Sequence, residues 1–320
     1  MGDLTFKTED DVDPDIRQFQ RQIMADYARL SPGGSPGWPM RRAIAETVRR
    51  PWTANGPVMA RTCDLQVGPF DVPIRLYMPS RSAPLAVLVY LHGGGWSLFS
   101  LDTHDRLMRE YAHRSGLAVV GVGYSLAPEF PFPRALEEIT TVVSWLAGQG
   151  ARHGLDVRRI AIGGDSAGAN LALSTGLMLR DAGNSILGAM LLNYGAYDTE
   201  SRPSCARYDG ENYLLTAQEM KEFWAGYLGG AEGEPSSLAR PLRADLEGLP
   251  PTFLCIPECD ILADENRLLA DRLGAAGVKT RVEAYRGATH GFLEAVSIST
   301  LASRALDDAS AWLAASMAGK

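Results

Sequence analysis

Apolar residues follow two alternating patterns along most of the chain. Short continuous apolar runs, which are typical of strands buried on both faces of a parallel sheet, alternate with longer stretches whose apolar residues recur every three or four positions. In the stretch 134–147, for example, Leu136, Ile139, Val143 and Leu146 fall on one helical face. The runs therefore predict strands, and the stretches between them predict helices.

The order of these elements predicts an α/β protein. Two strand-like runs come first, at 62–67 and 72–78, and the turn residues between them favour an antiparallel pair. Six further strands are expected at 85–91, 117–123, 159–163, 188–194, 252–256 and 279–285, with helices at 103–114, 134–147, 167–180, 264–274 and 300–315. We therefore expect a mostly parallel sheet of about eight strands, flanked by helices.

Two segments do not follow this alternation. Residues 1–50 combine two helical stretches with a link rich in glycine and proline, and residues 198–235 place polar turns around one aromatic helix. Open α/β sheets bind their ligands at the carboxyl ends of the strands. We expect 1–50 and 198–235 to cover that edge as a helical cap, with 51–197 and 236–320 as the catalytic core.

Composition and charge limit the partners of this fold. Of the 320 residues, 46% are hydrophobic and 22% are charged, which is ordinary for a globular protein with a large core. Lys and Arg number 31 against 38 Asp and Glu, so the net charge of −7 disfavours nucleic acid and anionic membranes. The longest apolar run, Leu85–Leu91, is too short to span a bilayer, and Met1–Asp15 lacks the apolar region of a signal peptide. A cytoplasmic protein is expected.

No residue pattern indicates a metal site. Asp102 and Asp105 flank His104, but aspartates at the start of a helix are expected to cap its free N–H groups. The cysteines lack nearby paired ligands and are expected to be reduced thiols: Cys63, Cys205, Cys255 and Cys259.

The segment Gly164-Asp165-Ser166-Ala167-Gly168 matches the G-x-S-x-G pattern of a nucleophile elbow. It lies between a predicted strand and a predicted helix, which is the context that this pattern requires. Glycines at 164 and 168 leave room for a sharp turn that exposes the hydroxyl group of Ser166. The sequence therefore predicts Ser166 as a nucleophile.

A serine nucleophile needs an imidazole to take its proton and a carboxylate to orient that imidazole. Of the five histidines, only His290 follows a late strand, as the chain order Ser-Asp-His requires. Asp260 follows the strand at 252–256 and is the leading candidate for the acid, with Asp198 and Asp264 as alternatives. A Ser-His-Asp triad is therefore expected.

The glycine-rich segment His92-Gly93-Gly94-Gly95-Trp96 follows a buried strand. Loops of this kind supply backbone N–H groups to the oxyanion of a tetrahedral intermediate, and glycine lets the backbone approach the substrate closely. Ala167, at the start of the helix after Ser166, adds a donor at a helix N-terminus. An oxyanion hole is expected between these two segments.

The HGGG and GDSAG motifs, at 92–95 and 164–168, together with Asp260 and His290, resemble the hormone-sensitive-lipase family of α/β-hydrolase esterases. The resemblance covers about residues 60–317. It implies an α/β-hydrolase fold with a cap, and it assigns the nucleophile, base and acid to the same side chains as the reasoning from the residues.

The resemblance carries further implications. Residues 101–109 and 124–129 look most like the corresponding segments of bacterial acetyl esterases, which implies short acyl groups. By position, the oxyanion donors are Gly94, Gly95 and Ala167.

Two other implications concern pairing. Relatives often dimerise through an edge strand, so the resemblance implies a homodimer through residues 280–285. Ser125 stands where many relatives have arginine, so the pairing partner of Glu129 cannot be transferred from them.

Side chains near the predicted active site divide into two groups. Four aromatic residues are candidates to line the substrate pocket: Trp96, Phe99, Trp224 and Tyr194. Four arginines are expected on the solvated face of the second predicted helix: Arg41, Arg42, Arg49 and Arg50.

These features together predict a serine carboxylesterase that hydrolyses short-chain, acetyl-like esters through an acyl-enzyme intermediate and needs no cofactor. Its partner would be a small-molecule ester. Three alternatives remain open: an amidase, formamidase or drug-type deacetylase on the same triad, a long-chain lipase, and a non-catalytic ligand receptor on the hydrolase scaffold.

Overall fold

One eight-stranded sheet lies at the centre of the computed structural model, which describes residues 11–31, 33–34, 36–82, 84–230 and 234–318. The strands are β1 (Arg61–Val67), β2 (Val72–Met78), β3 (Leu85–Leu91), β4 (Ala118–Val122), β5 (Leu155–Asp165), β6 (Leu187–Asn193), β7 (Thr252–Cys259) and β8 (Thr280–Thr289). Their order across the sheet is β1-β2-β4-β3-β5-β6-β7-β8. The predicted α/β-hydrolase fold is confirmed.

Helices flank the sheet and connect its strands. Those in the described part of the chain are α1 (Pro14–Leu30), α2 (Trp38–Thr53), α3 (Asp105–Ser115), α4 (Arg134–Gln149), α5 (Ala167–Asp181), α6 (Pro203–Tyr208), α7 (Ala217–Leu228), α8 (Ala263–Ala275) and α9 (Thr300–Met317). The aromatic helix predicted in the insert is α7. The short helix α6 precedes it and was not predicted.

Strand pairing explains why most strands read as continuous apolar runs. The pairs β1–β2 and β2–β4 are antiparallel, as expected for the opening hairpin, and the remaining pairs are parallel. In the centre of the sheet Val89 of β3 lies between Val120 of β4 and Ile162 of β5. All three side chains are fully buried, because neighbouring strands and helices cover both faces.

The connections out of β3 and β5 run in opposite directions across the sheet. From β3 the chain passes to β4 on one side, whereas from β5 it passes to β6 on the other, and β3 and β5 are neighbours. A crevice forms at the carboxyl ends of two such strands and is the usual ligand site of open α/β sheets. The segments 92–96 and 164–168 both begin at this edge.

The first helix is attached at the carboxyl end of β8. The Asp13 N–H donates to Gly287 O at 2.9 Å, and Gln20 Nε2 donates to Thr289 Oγ1 at 2.8 Å within the interior. These bonds place α1 beside the residue that follows β8. The division into a cap at 1–50 and 198–235 and a core at 51–197 and 236–320 stays a prediction, and residues 1–10, 32, 35, 83, 231–233, 319 and 320 lie outside the described part.

Two local predictions are wrong. Helix α3 has His104 as its N-cap residue, and the carboxylate of Asp102 accepts a bond from Arg75 instead of capping the helix, whereas Asp105 lies in the first turn as expected. Strand β5 begins at Leu155, four residues before its predicted start, because charged side chains interrupt its apolar pattern although the backbone is already extended.

The sheet edge and the helices bear on two further expectations. Strand β8 forms one edge of the sheet and exposes Val282. An edge strand is where the predicted homodimer through 280–285 would form, and the homodimer stays a prediction. No helix in the described ranges is both long enough and apolar enough to cross a membrane.

Candidate active site

Ser166 occupies a sharp turn between β5 and α5. Its backbone has φ 53° and ψ −119°, a positive φ that is strained for a residue with a side chain. A Cβ on Gly164 or Gly168 would overlap the carbonyl oxygen of Leu91 in the neighbouring strand. Both positions therefore require glycine, and the turn brings Ser166 to the carboxyl edge of the sheet.

The side chains of Ser166, His290 and Asp260 form a hydrogen-bonded chain. His290 Nε2 lies 2.9 Å from Ser166 Oγ, and His290 Nδ1 lies 2.8 Å from Asp260 Oδ2. Asp260 directly follows β7, and His290 directly follows β8. The strand ends thus place at one edge three groups that are far apart in the sequence.

The alternative acids have other partners. Asp198 accepts hydrogen bonds from Arg202 and Arg243, and Asp264 accepts from the N–H of Ser204 and from Arg267. The structure thus brings only Asp260 of the three candidates to His290.

Burial and charge act in opposite directions on His290. Burial lowers its pKa, but the negative charge of Asp260 and the hydrogen bond to it outweigh burial, so the pKa stands above the usual value of 6.5. In the neutral imidazole, a proton on Nδ1 is donated to Asp260, which leaves Nε2 free to accept the proton of Ser166 Oγ.

The segment after β3 turns tightly beside the Ser166 hydroxyl. Gly94 and Gly95 have φ values of 106° and 58°, and the Gly94 carbonyl accepts bonds from the N–H groups of Ser97 and Leu98. The N–H groups of Gly94, Gly95 and Ala167 have no acceptor among the described residues. They are available to an oxyanion bound beside Ser166.

Comparison with known proteins identifies the family of this chain. Residues 88–294 match the model of a family with the α/β-hydrolase fold. The chain is 37% identical, over 296 residues, to an acetyl esterase of Salmonella schwarzengrund, covering 89% of this chain and 91% of the relative. The chain belongs to the hormone-sensitive-lipase family of α/β-hydrolase esterases.

Solved esterases share the fold over almost the whole length of this esterase. A Pyrobaculum calidifontis esterase superposes with a TM-score of 0.88 at 33% identity, covering 96% of this chain and 100% of the other. A thermostable esterase from Pseudomonas putida superposes with a TM-score of 0.86 at 28% identity, covering 98% and 100% of the two chains. The protein is accordingly a carboxylic ester hydrolase.

A buried histidine–aspartate pair lies beside the Ser166 turn of the esterase. Asp165, the residue before Ser166, accepts a bond from Tyr90 Oη at 2.8 Å and lies 3.3 Å from His104 Nε2. Burial raises the pKa of Asp165, but the His104 charge outweighs it and leaves the pKa lowered. The His104 pKa is raised, because Asp165 outweighs burial there too.

This pair was not predicted from the sequence. Asp165 occupies the variable position of the G-x-S-x-G pattern, and His104 was considered only as part of a metal site or helix start. Asp165 also contacts the glycine-rich segment, since a Cβ on Gly93 would overlap its carboxylate. The Asp165 side chain therefore links the Ser166 turn to the glycine-rich segment.

A largely apolar cavity of about 350 Å³ opens above Ser166. Three of the four predicted pocket aromatics line it, namely Trp96, Phe99 and Tyr194. Trp224 is not among the lining residues. Its indole packs behind Trp96 with ring centroids 4.5 Å apart, so it supports the wall of the cavity from outside.

Both cap segments contribute to the wall of the cavity. From residues 1–50 the lining side chains are Met24, Tyr27, Ser31, Pro36, Arg41, Ile44 and Arg49. From residues 198–235 they are Leu214, Leu215, Glu219, Met220 and Phe223. In the part of the chain that the structure describes, no cluster of three or more His, Cys, Asp or Glu side chains could hold a metal ion.

The prediction that the arginines of α2 are solvated is wrong for Arg49. Its side chain is buried against the cavity, whereas Arg50 is exposed as expected. Arg42 is half-buried and pairs with Glu129. It is thus the partner of Glu129 that could not be transferred from relatives with arginine at the position of Ser125. The helical spacing of Ala45 and Val48, which are both buried, is the signal that could have placed Arg49 on the inner face.

Proposed function

We propose that this carboxylesterase hydrolyses short-chain acyl esters, acetyl esters foremost, through an acyl-enzyme formed on Ser166. The observation that carries the proposal is the continuous chain of hydrogen bonds from Ser166 Oγ through His290 to Asp260. Two further observations support short acyl groups: the relatives named as acetyl esterases, and a cavity of about 350 Å³.

In the first half-reaction, Ser166 Oγ attacks the carbonyl carbon while its proton passes to His290 Nε2. The carbonyl oxygen becomes an oxyanion that accepts hydrogen bonds from the N–H groups of Gly94, Gly95 and Ala167. When the intermediate collapses, the carbon–oxygen bond to the alcohol breaks and His290 gives its proton to the leaving oxygen. Asp260 stabilises the imidazolium that exists between these two transfers.

The second half-reaction repeats these steps with water. His290 Nε2 takes a proton from a water molecule as its oxygen attacks the acyl carbon, and the same N–H groups stabilise the oxyanion. The bond to Ser166 Oγ then breaks, and the proton returns from His290 to the serine. The carboxylic acid leaves, and no cofactor is needed for any step.

Hydrolysis of p-nitrophenyl esters of increasing acyl length tests the proposal. The wild type should prefer acetyl and butyryl esters, and Ser166→Ala should lose about 10⁴-fold or more of kcat. The matched control is Ser310→Ala, which removes a buried hydroxyl from α9. Undiminished turnover by Ser166→Ala would contradict the assignment of the nucleophile.

The same preparation separates the alternatives. Preference for long acyl chains would indicate a lipase, and faster cleavage of an anilide than of its matched ester would indicate an amidase. A fluorophosphonate probe should label Ser166 covalently in the wild type. Absence of both turnover and labelling would favour a ligand receptor.

A further inference from the structure

One wall of the apolar cavity carries a buried ion pair that the proposed mechanism does not use. Arg49 Nε donates to Glu294 Oε2 at 3.1 Å, and Arg49 Nη1 donates to the hydroxyl oxygen of Tyr27 at 2.6 Å. Both charged side chains are almost fully buried, with 5% and 11% of their surfaces exposed, and all three residues line the cavity. We refer to Arg49, Glu294 and Tyr27 as the polar corner.

Fold stability alone is a poor explanation for the polar corner. Removing two charges from water costs several kcal/mol per ion, and apolar side chains of similar volume are often equally stable at such places. Arg49 also stacks over the ring of Phe99, with its guanidinium carbon 4.5 Å from the ring centroid. The pair is thus fixed in orientation at the surface of a largely apolar cavity.

The polar corner retains unused hydrogen-bonding capacity. Within the described ranges, Glu294 Oε1 accepts no hydrogen bond and Arg49 Nη2 donates none. Glu294 Oε1 and Arg49 Nη2 therefore remain available for hydrogen bonds, and both belong to residues that line the cavity. A hydroxyl group can satisfy both at once, because it donates one hydrogen bond and accepts others.

The position of the polar corner indicates which part of the ester it faces. Glu294 lies in the turn that directly follows His290, and Gly291 between them also lines the cavity. His290 gives its proton to the leaving alcohol oxygen, so the alcohol part of the substrate must lie on the His290 side. The polar corner therefore faces the alcohol part.

The charges around the cavity favour a neutral group. Two arginines and three carboxylates line it: Arg41, Arg49, Asp165, Glu219 and Glu294. A carboxylate on the substrate would meet the acidic side chains, and an ammonium group would meet the arginines. A hydroxyl group avoids both repulsions.

We propose that Arg49 and Glu294 bind a free hydroxyl group on the alcohol part of the ester, so that partially acylated polyols are the substrate class of this enzyme. The inference rests on the proposed esterase function and adds to it the chemistry of the leaving group. Tyr27 acts through Arg49 and is a positioning residue.

The test compares acetate esters that differ only in a terminal hydroxyl or methyl group. The pairs are 2-hydroxyethyl and propyl acetate, 3-hydroxypropyl and butyl acetate, and 4-hydroxybutyl and pentyl acetate. In the pair whose hydroxyl group reaches the polar corner, the wild type should favour the hydroxyl ester in kcat/KM by about tenfold, the effect of one hydrogen bond to a charged group. The preference should appear mainly in KM.

Two variants probe the corner directly. Glu294→Gln and Arg49→Met should each abolish the preference for the hydroxyl ester. The matched control is Glu129→Gln. Glu129 pairs with Arg42, which lies on the same helix as Arg49, but neither Arg42 nor Glu129 lines the cavity. This variant should keep the preference for the hydroxyl ester. The melting temperature of each variant shows whether it folds. If a corner variant does not fold, the preference of the wild type across the three ester pairs decides whether the inference holds.

The outcomes separate the two proposals. If the wild type hydrolyses neither member of any pair, the proposed esterase function fails. If it hydrolyses both members equally in every pair, the function stands and the hydroxyl inference is overturned. A lower melting temperature with an unchanged preference in Glu294→Gln would show that the pair is only structural, which also overturns the inference.

Discussion

The carboxylate of Asp260 lies 2.8 Å from Nδ1 of His290 and has no exposed side-chain surface. A buried negative charge in this position favours the protonated imidazole, which is why the pKa of His290 stands above 6.5 in spite of its burial. The proposed base is neutral, and therefore competent, only above that pKa.

The pH dependence of kcat/KM should reflect this pair. As the pH falls, His290 becomes protonated and cannot accept the Ser166 proton, so activity should fall with a midpoint above pH 6.5. Asp260→Asn removes the charge that raises the pKa, so it should move the midpoint to lower pH and slow kcat by about 10⁴-fold. Initial rates between pH 5 and 9 in constant ionic strength measure both effects. An unchanged midpoint in the variant would refute this account of the pKa.

Gly95→Ala should inactivate the esterase through Phe223. A Cβ on Gly95 would overlap the Phe223 ring, and the φ of 58° at Gly95 is unfavourable for alanine. The segment must then shift, and loss of one oxyanion donor typically lowers kcat by about 10²–10³-fold. Steady-state kinetics with p-nitrophenyl acetate measure the loss.

The control for that variant is Gly226→Ala, in the helix that also carries Phe223. A Cβ on Gly226 would meet Ser97 Oγ at an ordinary 3.7 Å. Alanine within a helix is about 0.5–1 kcal/mol more stable than glycine, so this variant should remain active and unfold at a higher temperature. Equal activity of the two variants would show that the overlap at Gly95 is unimportant.

Glu265→Gln should stabilise the protein at alkaline pH. Burial raises the pKa of Glu265 from 4.5 to about 8, and its carboxyl group accepts bonds from the N–H groups of Tyr197 and Asp198. Between these two values the folded state holds a proton that the unfolded state releases, so the free energy of unfolding falls by about 1.4 kcal/mol per pH unit. Glutamine accepts the same bonds without titrating.

Urea unfolding of Glu265→Gln and the wild type at pH 6, 7.5 and 9 measures this difference. The variant should gain stability over the wild type at each step towards pH 9. Glu137→Gln, which changes a half-exposed glutamate on α4, serves as the control and should follow the wild type at every pH. A constant difference between Glu265→Gln and the wild type would contradict the raised pKa.

Arg42→Met should destabilise the protein more than Glu129→Gln. Arg42 donates to the carbonyl oxygens of Ser97 and Ala127 as well as to Glu129. Leaving partly buried carbonyl groups without a donor costs about 1–3 kcal/mol, whereas an ion pair this exposed contributes about 0–1 kcal/mol. Urea unfolding at one pH ranks the two variants, and the reverse order would show that the charge pair dominates.

The strands and the chemical motifs could be predicted because each has a local signal. Strands β3 and β4 are buried on both faces, so nearly every residue in them is apolar. The start of β5 was missed because Asp156 pairs with Arg158 and Arg159 at its outer end, where the chain is extended but partly charged. The spacing of apolar residues cannot reveal an extended segment that carries charged side chains.

The pocket was harder to predict than the proposed triad, because its side chains belong to no sequence motif with an expected chain order. Trp224 and Phe223 are neighbours in α7, yet Phe223 lines the cavity while Trp224 packs behind Trp96. The spacing of Ala45 and Val48 could have placed Arg49 on the inner face of its helix, but its partner Glu294 lies 245 residues away in the sequence. Neither the position of Trp224 behind Trp96 nor the pairing of Arg49 with Glu294 has a signature within a short window of sequence.

The positive φ of Ser166 destabilises the fold at the residue that the proposed reaction needs. Strain of this kind costs about 1–3 kcal/mol and persists only where the surrounding structure imposes it. A glycine at position 166 would adopt the same φ without that cost. Directed evolution for heat resistance alone would therefore tend to replace Ser166, the proposed nucleophile. Any programme to make this enzyme more durable must select for turnover in every round.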